Sequence, residues 1–348
     1  MLKAFRYSPR LLRRLSLLFI ALGALLLSSC GMMEADSGQD CTTYRRVHFV
    51  FDMNMLFSDA FAHEVDTVTL YANDASGKIV YTKREAVADI VSRGYMDVND
   101  LPSGTYTFRV WATGEDRYDN SYTYGDDIID REDTARLTVT VNRDNAEVNH
   151  DLTPLFFGVT RNVDMTDYQY GGVREATVYL TKDTNVFRIV LQNLSGANLT
   201  PNDFSFYLTD NNGSLDCTNN LVDDEPLTYR AWSVTSGQAG VTGNDGTTVT
   251  SVSAVVAEIT TNRLIKGHDM RLHIVNNADG KEIINIPAID YCLLVKGNYN
   301  KNMSDQEYLD REDHYDMVFF IDSQHNWLAA SIYINSWRVV LQNADLGQ

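Results

Sequence analysis

The chain has 348 residues, with 29 Lys and Arg against 47 Asp and Glu, a formal charge of -18. Residues 1–29 hold five bases (Lys3, Arg6, Arg10, Arg13, Arg14) and no acid, so the other 319 residues, with 24 bases and 47 acids, carry -23. A body this acidic excludes binding to phosphate backbones and docking on anionic lipid through a basic patch, and 44% apolar residues exclude a wholly disordered chain.

The head reads as an export signal. Its five cations precede Leu15–Leu27, an uncharged run of thirteen residues. At ~1.5 Å per residue that run spans roughly 20 Å, too little for a ~30 Å hydrocarbon core. Leu27-Ser28-Ser29-Cys30-Gly31 follows. It resembles the bacterial lipobox, in which small residues admit a signal peptidase and the Cys thiol receives a diacylglyceryl group. Cleavage is therefore expected between Ser29 and Cys30, with Cys30 the lipidation site and the membrane reached through acyl chains. One acyl chain binds a bilayer marginally, and two or three hold. Cys41, Cys217 and Cys292 remain, with no CxxC spacing; an odd count allows at most one bridge, and buried free cysteines are the expected account.

Residues 30–43 lack periodicity and read as a tether. Strand signals then dominate. Val47–Phe51 opens the series, and Val65–Tyr71 alternates. Asn73–Lys78 is a hairpin turn before Ile79–Tyr81. Leu101-Pro102-Ser103-Gly104 turns into Thr105–Trp111, where Tyr106, Phe108 and Val110 share one face. Leu137–Val141 and Ala146–Leu152 flank Asn142–Asn145, read as another hairpin. Pro154 and the polar stretch Thr160–Gly172 mark a junction, giving domains at 44–153 and 154–348. Nine further strand segments follow, among them Glu282–Ile286 beyond the turn Asn276–Lys281, and Trp337–Leu341. One helix is expected, Asp305–Arg311, because Ser304 and Glu307 form an S-x-x-E capping box. Two β domains with little helix imply antiparallel sandwiches with edge strands.

Catalytic patterns are missing. The seven histidines include no H-E-x-x-H, and the chain has no G-x-S-x-G, P-loop or G-x-G-x-x-G. The acidic clusters lack the order of a calcium loop and read as solvated loops. No metal or other cofactor is expected. Tyr118, Tyr122 and Tyr124, in a loop rich in Asp and Asn, are candidate contacts for a glycan or a partner. Trp111, Trp327 and Trp337 fall on alternating strands and read as core.

Several segments then fit together: the lipobox; Asp59–Tyr71; Leu101–Trp111; Leu155-Phe156-Phe157-Gly158; Leu180–Val190; Gln306–Asp313 with Tyr315–Phe320; and Trp327 through Ile334-Asn335-Ser336-Trp337. In this order they resemble the FimB-type fimbrillin-associated anchor subunits of type V fimbriae. The resemblance runs over nearly the whole mature chain. It implies an all-β fold of two tandem transthyretin-like antiparallel sandwiches on a surface lipoprotein of the outer membrane. It also implies a non-enzymatic subunit, whose partner is the fimbrial shaft subunit (fimbrillin), that holds the shaft to the membrane and helps limit its length. Shaft subunits of such systems lose an N-terminal strand to an Arg- or Lys-specific protease, opening a groove for another subunit's strand. An anchor has reason to keep that strand. Arg45-Arg46 lies where such a protease could cut, and is read here as ordinary exposed arginines on an edge strand.

Strand addition through an edge is then the expected way of binding. Which edge is used stays open. The alternative reading is a glycan-binding or adhesive surface lipoprotein, which would use exposed, coplanar aromatics near Tyr118–Tyr124.

Overall fold

A computed structural model describes residues 41–114, 121–124, 139–195, 197–242, 248–297, 300–328 and 332–339. Ser29, Cys30 and Tyr118 lie outside the described residues. Contacts separate a small unit, described at 41–43 and Asp167–Gly172, from a large one of Tyr44–Thr166 and Val173–Gln348. Within the small unit, the Tyr168 N–H donates to Thr43 Oγ1 at 2.8 Å and the Gly172 N–H to Thr42 O at 3.2 Å.

The large unit is all-β with short helices. In chain order it begins with β1 (Thr43–Met53), α1 (Phe61–Glu64), β2 (Thr67–Asn73), β3 (Ile79–Ala86), α2 (Val87–Arg93), β4 (Met96–Asp97) and β5 (Thr105–Thr113). Then come β6 (Tyr122–Tyr124), β7 (Val139–Val141), β8 (Glu147–Val148), β9 (Leu155–Asp164), β10 (Gly172–Lys182) and β11 (Asn185–Asn193). Next are β12 (Phe204–Asp210), β13 (Ser214–Leu215), β14 (Leu227–Arg230), β15 (Ser233–Thr242), β16 (Thr248–Thr261), β17 (Arg271–Asn276) and β18 (Glu282–Pro287). The last are α3 (Ala288–Leu294), α4 (Asp305–Arg311), β19 (His314–Ile321), β20 (Ile332–Ile334) and β21 (Trp337–Val339).

One seven-stranded sheet, ordered β3-β2-β5-β9-β10-β1-β4, forms the first half. Period-two alternation decides which side chains enter its core. Val47, Phe49 and Phe51 of β1 meet Val68 and Leu70 of β2, Phe108 and Val110 of β5, Phe156 of β9, and Val178 and Leu180 of β10. Phe61 of α1 and Val87 and Ile90 of α2 close this core. Gly94 ends α2 at φ +82°, a left-handed conformation that a side chain would disfavour. Gly158 is a second obligate glycine: a Cβ there would sit 2.6 Å from Val178 Cγ1 and 2.7 Å from Tyr179 O.

In the second half, a six-stranded sheet (β15-β16-β11-β19-β20-β21) faces a five-stranded one (β18-β17-β12-β14-β8). Phe187, Ile189, Leu191, Ala257, Ile259, Met317 and Phe319 from the first pack on Phe206, Leu208, Leu272, Ile274, Tyr229 and Ile284 from the second. Tyr291 and Cys292 of α3 and Tyr308 and Leu309 of α4 cap the layer. Two pairs, β11 with β19 and β14 with β8, run parallel where antiparallel pairing was expected. Parallel pairing requires a long crossover, and everything from β12 through α4 lies between β11 and β19.

The helix at 305–311 forms as expected, with Ser304 Oγ accepting from the Glu307 N–H at 3.0 Å. The Glu307 carboxylate turns to Arg311 Nε at 3.0 Å. The expected hairpins at 73–78 and 276–281 join β2 to β3 and β17 to β18. The one at 142–145 does not form a two-stranded unit. β7 pairs with β6 and β13, and β8 with β14.

The expected 153/154 boundary does not coincide with a break between sheets. Beyond it, β9 and β10 join the seven-stranded sheet, whereas Val148 and Leu152 before it lie in the second core. Pro154 lies in the irregular stretch just before β9, and a proline there does not record which sheet the next strand joins.

Candidate assembly interface

β1 is the first of the described strands. Arg45 there is not an exposed arginine: it is 5% accessible, and its Nε donates to Met165 O at 2.8 Å. Its backbone N–H donates to Asn99 Oδ1 at 2.6 Å. β1 lies between β10 and the two-residue β4, pairing Arg46 with Asp97 and Val47 with Met96. Arg46 faces outward, its guanidinium 4.3 Å from the Tyr95 ring centroid. The expectation of two ordinary exposed arginines on an edge strand therefore fails: Arg45 is buried, Arg46 is half-buried beside Glu175, and β1 has neighbours on both sides. The same alternation that buries Val47 carries Arg45 inward, where carbonyl oxygens receive it.

The body is bound across its two halves by packing and by charge. Trp111, Leu155 and Phe157 on the back of the seven-stranded sheet pack on Val139, Leu215 and Cys217 of the β13-β7-β6 sheet and the loop after it. Arg109 Nε donates to Cys217 O at 3.1 Å and its Nη1 to Asn73 Oδ1 at 2.6 Å. Lys182, the last residue of β10, is 3.0 Å from Glu64 Oε2 and also bonds to Asp313. Burial pulls its ammonium pKa down, but Asp313 and Glu64 outweigh that and hold it above the ordinary lysine value. Arg311 of α4 donates to Asp52 O at 2.9 Å and lies over the Phe57 ring at 4.5 Å.

Asp183 follows Lys182 at the crossing from one sheet to the next. Its side chain is fully buried, and its N–H donates to Leu155 O at 2.7 Å. Asn219 Nδ2 donates to its Oδ1 at 2.8 Å, and Arg263 Nε lies 3.6 Å from the same oxygen. Arg263 also grips Asp310, with Nε 3.0 Å and Nη2 2.9 Å from Oδ1. Burial pushes the Asp183 carboxyl up to about 7, against the pull of Arg263 and Asn219. Sequence reading missed these groups. Nothing local distinguishes Lys182-Asp183 or Arg263 from solvated charges, because their partners come from distant segments.

Of the expected aromatic contact set, Tyr122 and Tyr124 are described, and both lie on β6. Tyr122 is half-buried, and its hydroxyl donates to Thr153 O at 3.0 Å. Tyr124 is 38% accessible, on the same three-residue strand. Among the tryptophans, Trp111 is buried as expected and Trp327 partly so. Trp337 corrects its expectation: it is 59% accessible on β21, the strand closing one edge of its sheet among the described residues. Cys217 and Cys292 are buried free thiols, and Cys41 is exposed, against the expectation of burial. Among the described residues no group of three or more His, Cys, Asp or Glu is placed to hold a metal, and no helix is long and apolar enough to cross a membrane.

Residues 37–343 match the family model described as fimbrillin-A associated anchor proteins Mfa1 and Mfa2. The chain belongs to the fimbrillin-associated anchor family. Solved relatives share the architecture. A candidate adhesin from Bacteroides thetaiotaomicron is 30% identical, with a TM-score of 0.72 over 85% of this chain and 97% of its own. A candidate polysaccharide-binding protein of the same organism is also 30% identical, with a TM-score of 0.70 over 87% and 99%. The fimbrial anchor protein Mfa2 from Porphyromonas gingivalis, 17% identical, matches with a TM-score of 0.62 over 86% and 99%, a likeness of fold. No curated protein matches the chain. Membership of the anchor family assigns a fimbrial anchor or adhesin-like role at the cell surface, in a structural class of protein.

Proposed function

We propose that this protein is the lipid-anchored subunit that attaches a fimbrial shaft to the outer membrane, binding the shaft fimbrillin by β-strand addition and limiting shaft length. The family match over residues 37–343 carries the reading. It begins just after the segment in which Cys30 would receive its acyl chains. Two physical features support it. Lipid on Cys30 attaches a body whose -23 charge cannot adhere to an anionic surface. The ion pairs of Lys182 and the Trp111–Leu215 cluster tie the two halves together, so that tension applied at β1 passes into the second sandwich.

No catalytic chemistry is invoked. The test is co-purification: the lipidated protein, extracted from outer membrane in mild detergent and captured through an affinity tag, should bring down a shaft fimbrillin in near-stoichiometric amount. Capture without any fimbrillin would refute the role.

A further inference from the structure

Sheet edges attract other strands, and most folded proteins blunt them with charge, proline, bulges or shortness. Among the described residues of the large unit, the edges other than β15 are blunted in this way. β3 carries Lys83, Arg84 and Glu85. β4 and β8 have two residues each, β13 two, and β6 three. β18 runs from Glu282 to Pro287, which has no N–H, and faces a register shift at Ile274/Val275. β21 is described over three residues and includes Arg338.

β15 differs. It is the outer strand of the six-stranded sheet and reads Ser-Val-Thr-Ser-Gly-Gln-Ala-Gly-Val-Thr, ten residues with neither charge nor proline. Seven consecutive residues, Ser233–Ala239, pair in unbroken register with Glu258–Val252 of β16, and the only shift comes after Ala239. On the other side alternate residues of this stretch turn N–H and C=O groups outward, the pattern that receives an extended strand. Thr235 and Ser236 are exposed. Beyond Ala254, where pairing with β11 ends, β16 continues in pairing with β15, and the Leu199 N–H donates to Ser253 Oγ at 2.9 Å beside it.

We infer that the β15 edge, Ser233–Ala239, is the docking edge, and that its occupant is an extended, uncharged strand of the shaft fimbrillin. The inference rests on the anchor reading and adds to it the place of contact. The charge pattern selects the occupant: an uncharged edge offers no counter-charge, so a guest strand with charges facing it would leave them unpaired. Elsewhere the surface is acidic and repels guests of like sign. The backbone row alone would admit any strand, and the absence of charge narrows the guest to one without charges facing the edge.

Hydrogen–deuterium exchange on the full-length lipidated protein tests this, with and without purified shaft fimbrillin. Amides within 233–239 should exchange at least tenfold more slowly in the complex, and those of β3 should not change. Thr235→Lys should lower fimbrillin capture about tenfold with an unchanged melting temperature, while Thr82→Lys on the β3 edge should capture as wild type. If Thr235→Lys does not fold, Ser236→Glu carries the same comparison. Wild-type capture with no protection at 233–239, or undiminished capture by a folded Thr235→Lys variant, overturns the β15 assignment and leaves the anchor role standing. Protection that grows with protein concentration in the absence of fimbrillin assigns the edge to a second copy of this chain and overturns it as well. Failure of the wild type to capture any fimbrillin overturns the anchor role first.

Discussion

At the scale of single residues, the decisive groups are charges in places that charges avoid. Asp183 and Arg263 are buried or nearly so, and breaking such a pair leaves a group that is neither solvated nor matched. Arg263→Ala is expected to lower stability by about 3 kcal/mol, measured by chemical denaturation; a loss below about 1 kcal/mol would show that Asp183 and Asp310 are satisfied without it. Asp183 also sets a pH dependence. Burial pushes its carboxyl up to about 7, and burial with the nearby Asp313 raises Glu312 to about 7 as well.

Between the ordinary carboxyl value near 4 and about 7, the folded chain keeps protons that the unfolded chain has released. Stability therefore falls as pH rises through that window. Asp183→Asn, uncharged throughout, should flatten the fall in melting temperature between about pH 5 and about pH 7.5, with Glu312 supplying the remaining slope. An unchanged slope would mean that Asp183 is ionised across the whole range. None of this was legible in the sequence, where Asp183 sits among ordinary polar residues after an ordinary strand.

At the scale of elements, β1 carries the functional argument. Protease cleavage requires an extended segment free to enter a cleft, and β1 is held by β10, by β4 and by the burial of Val47, Phe49 and Phe51. Trypsin applied to the native protein should cut after Arg45 or Arg46 at least tenfold more slowly than in the denatured protein, because the site opens only through unfolding. N-terminal sequencing of the fragments checks this. Rapid native cleavage there would mean that the lipid-bearing segment is shed, as in a shaft subunit. Elements like β1 were legible because half-burial imposes period two on Val47, Phe49 and Phe51. The helix at 305–311 was legible because its Ser304 cap is local.

Other elements were hidden. α2 and α3 have seven residues each, and over so short a span buried Val87-Ala88-Asp89-Ile90 or Ala288-Ile289-Asp290-Tyr291 has no period that separates helix from strand. The sheet partners of β7, β8, β9 and β10 were also hidden. Strand pairing is a long-range choice, and the turn residues at 142–145 and Pro154 report only on the chain beside them.

At the scale of the whole molecule, charge and anchorage form one design. Five positive charges lie in residues 1–29 and -23 on the rest, and the body that carries the -23 is all-β, as expected. Such a body has no electrostatic hold on an anionic membrane, and the proposed anchor role therefore places attachment on the acyl chains of Cys30 and contact with the shaft on the β15 edge. Cys30→Ala therefore tests the central claim most directly, by fractionation of cells expressing the variant at wild-type levels. Both the subunit and the fimbrial shaft should move from the outer-membrane fraction to the culture medium, with at least a tenfold loss from the membrane. Retention of the Cys30→Ala protein in the outer membrane at wild-type amount would contradict lipid anchoring, and with it the role of this chain as the shaft's attachment to the cell.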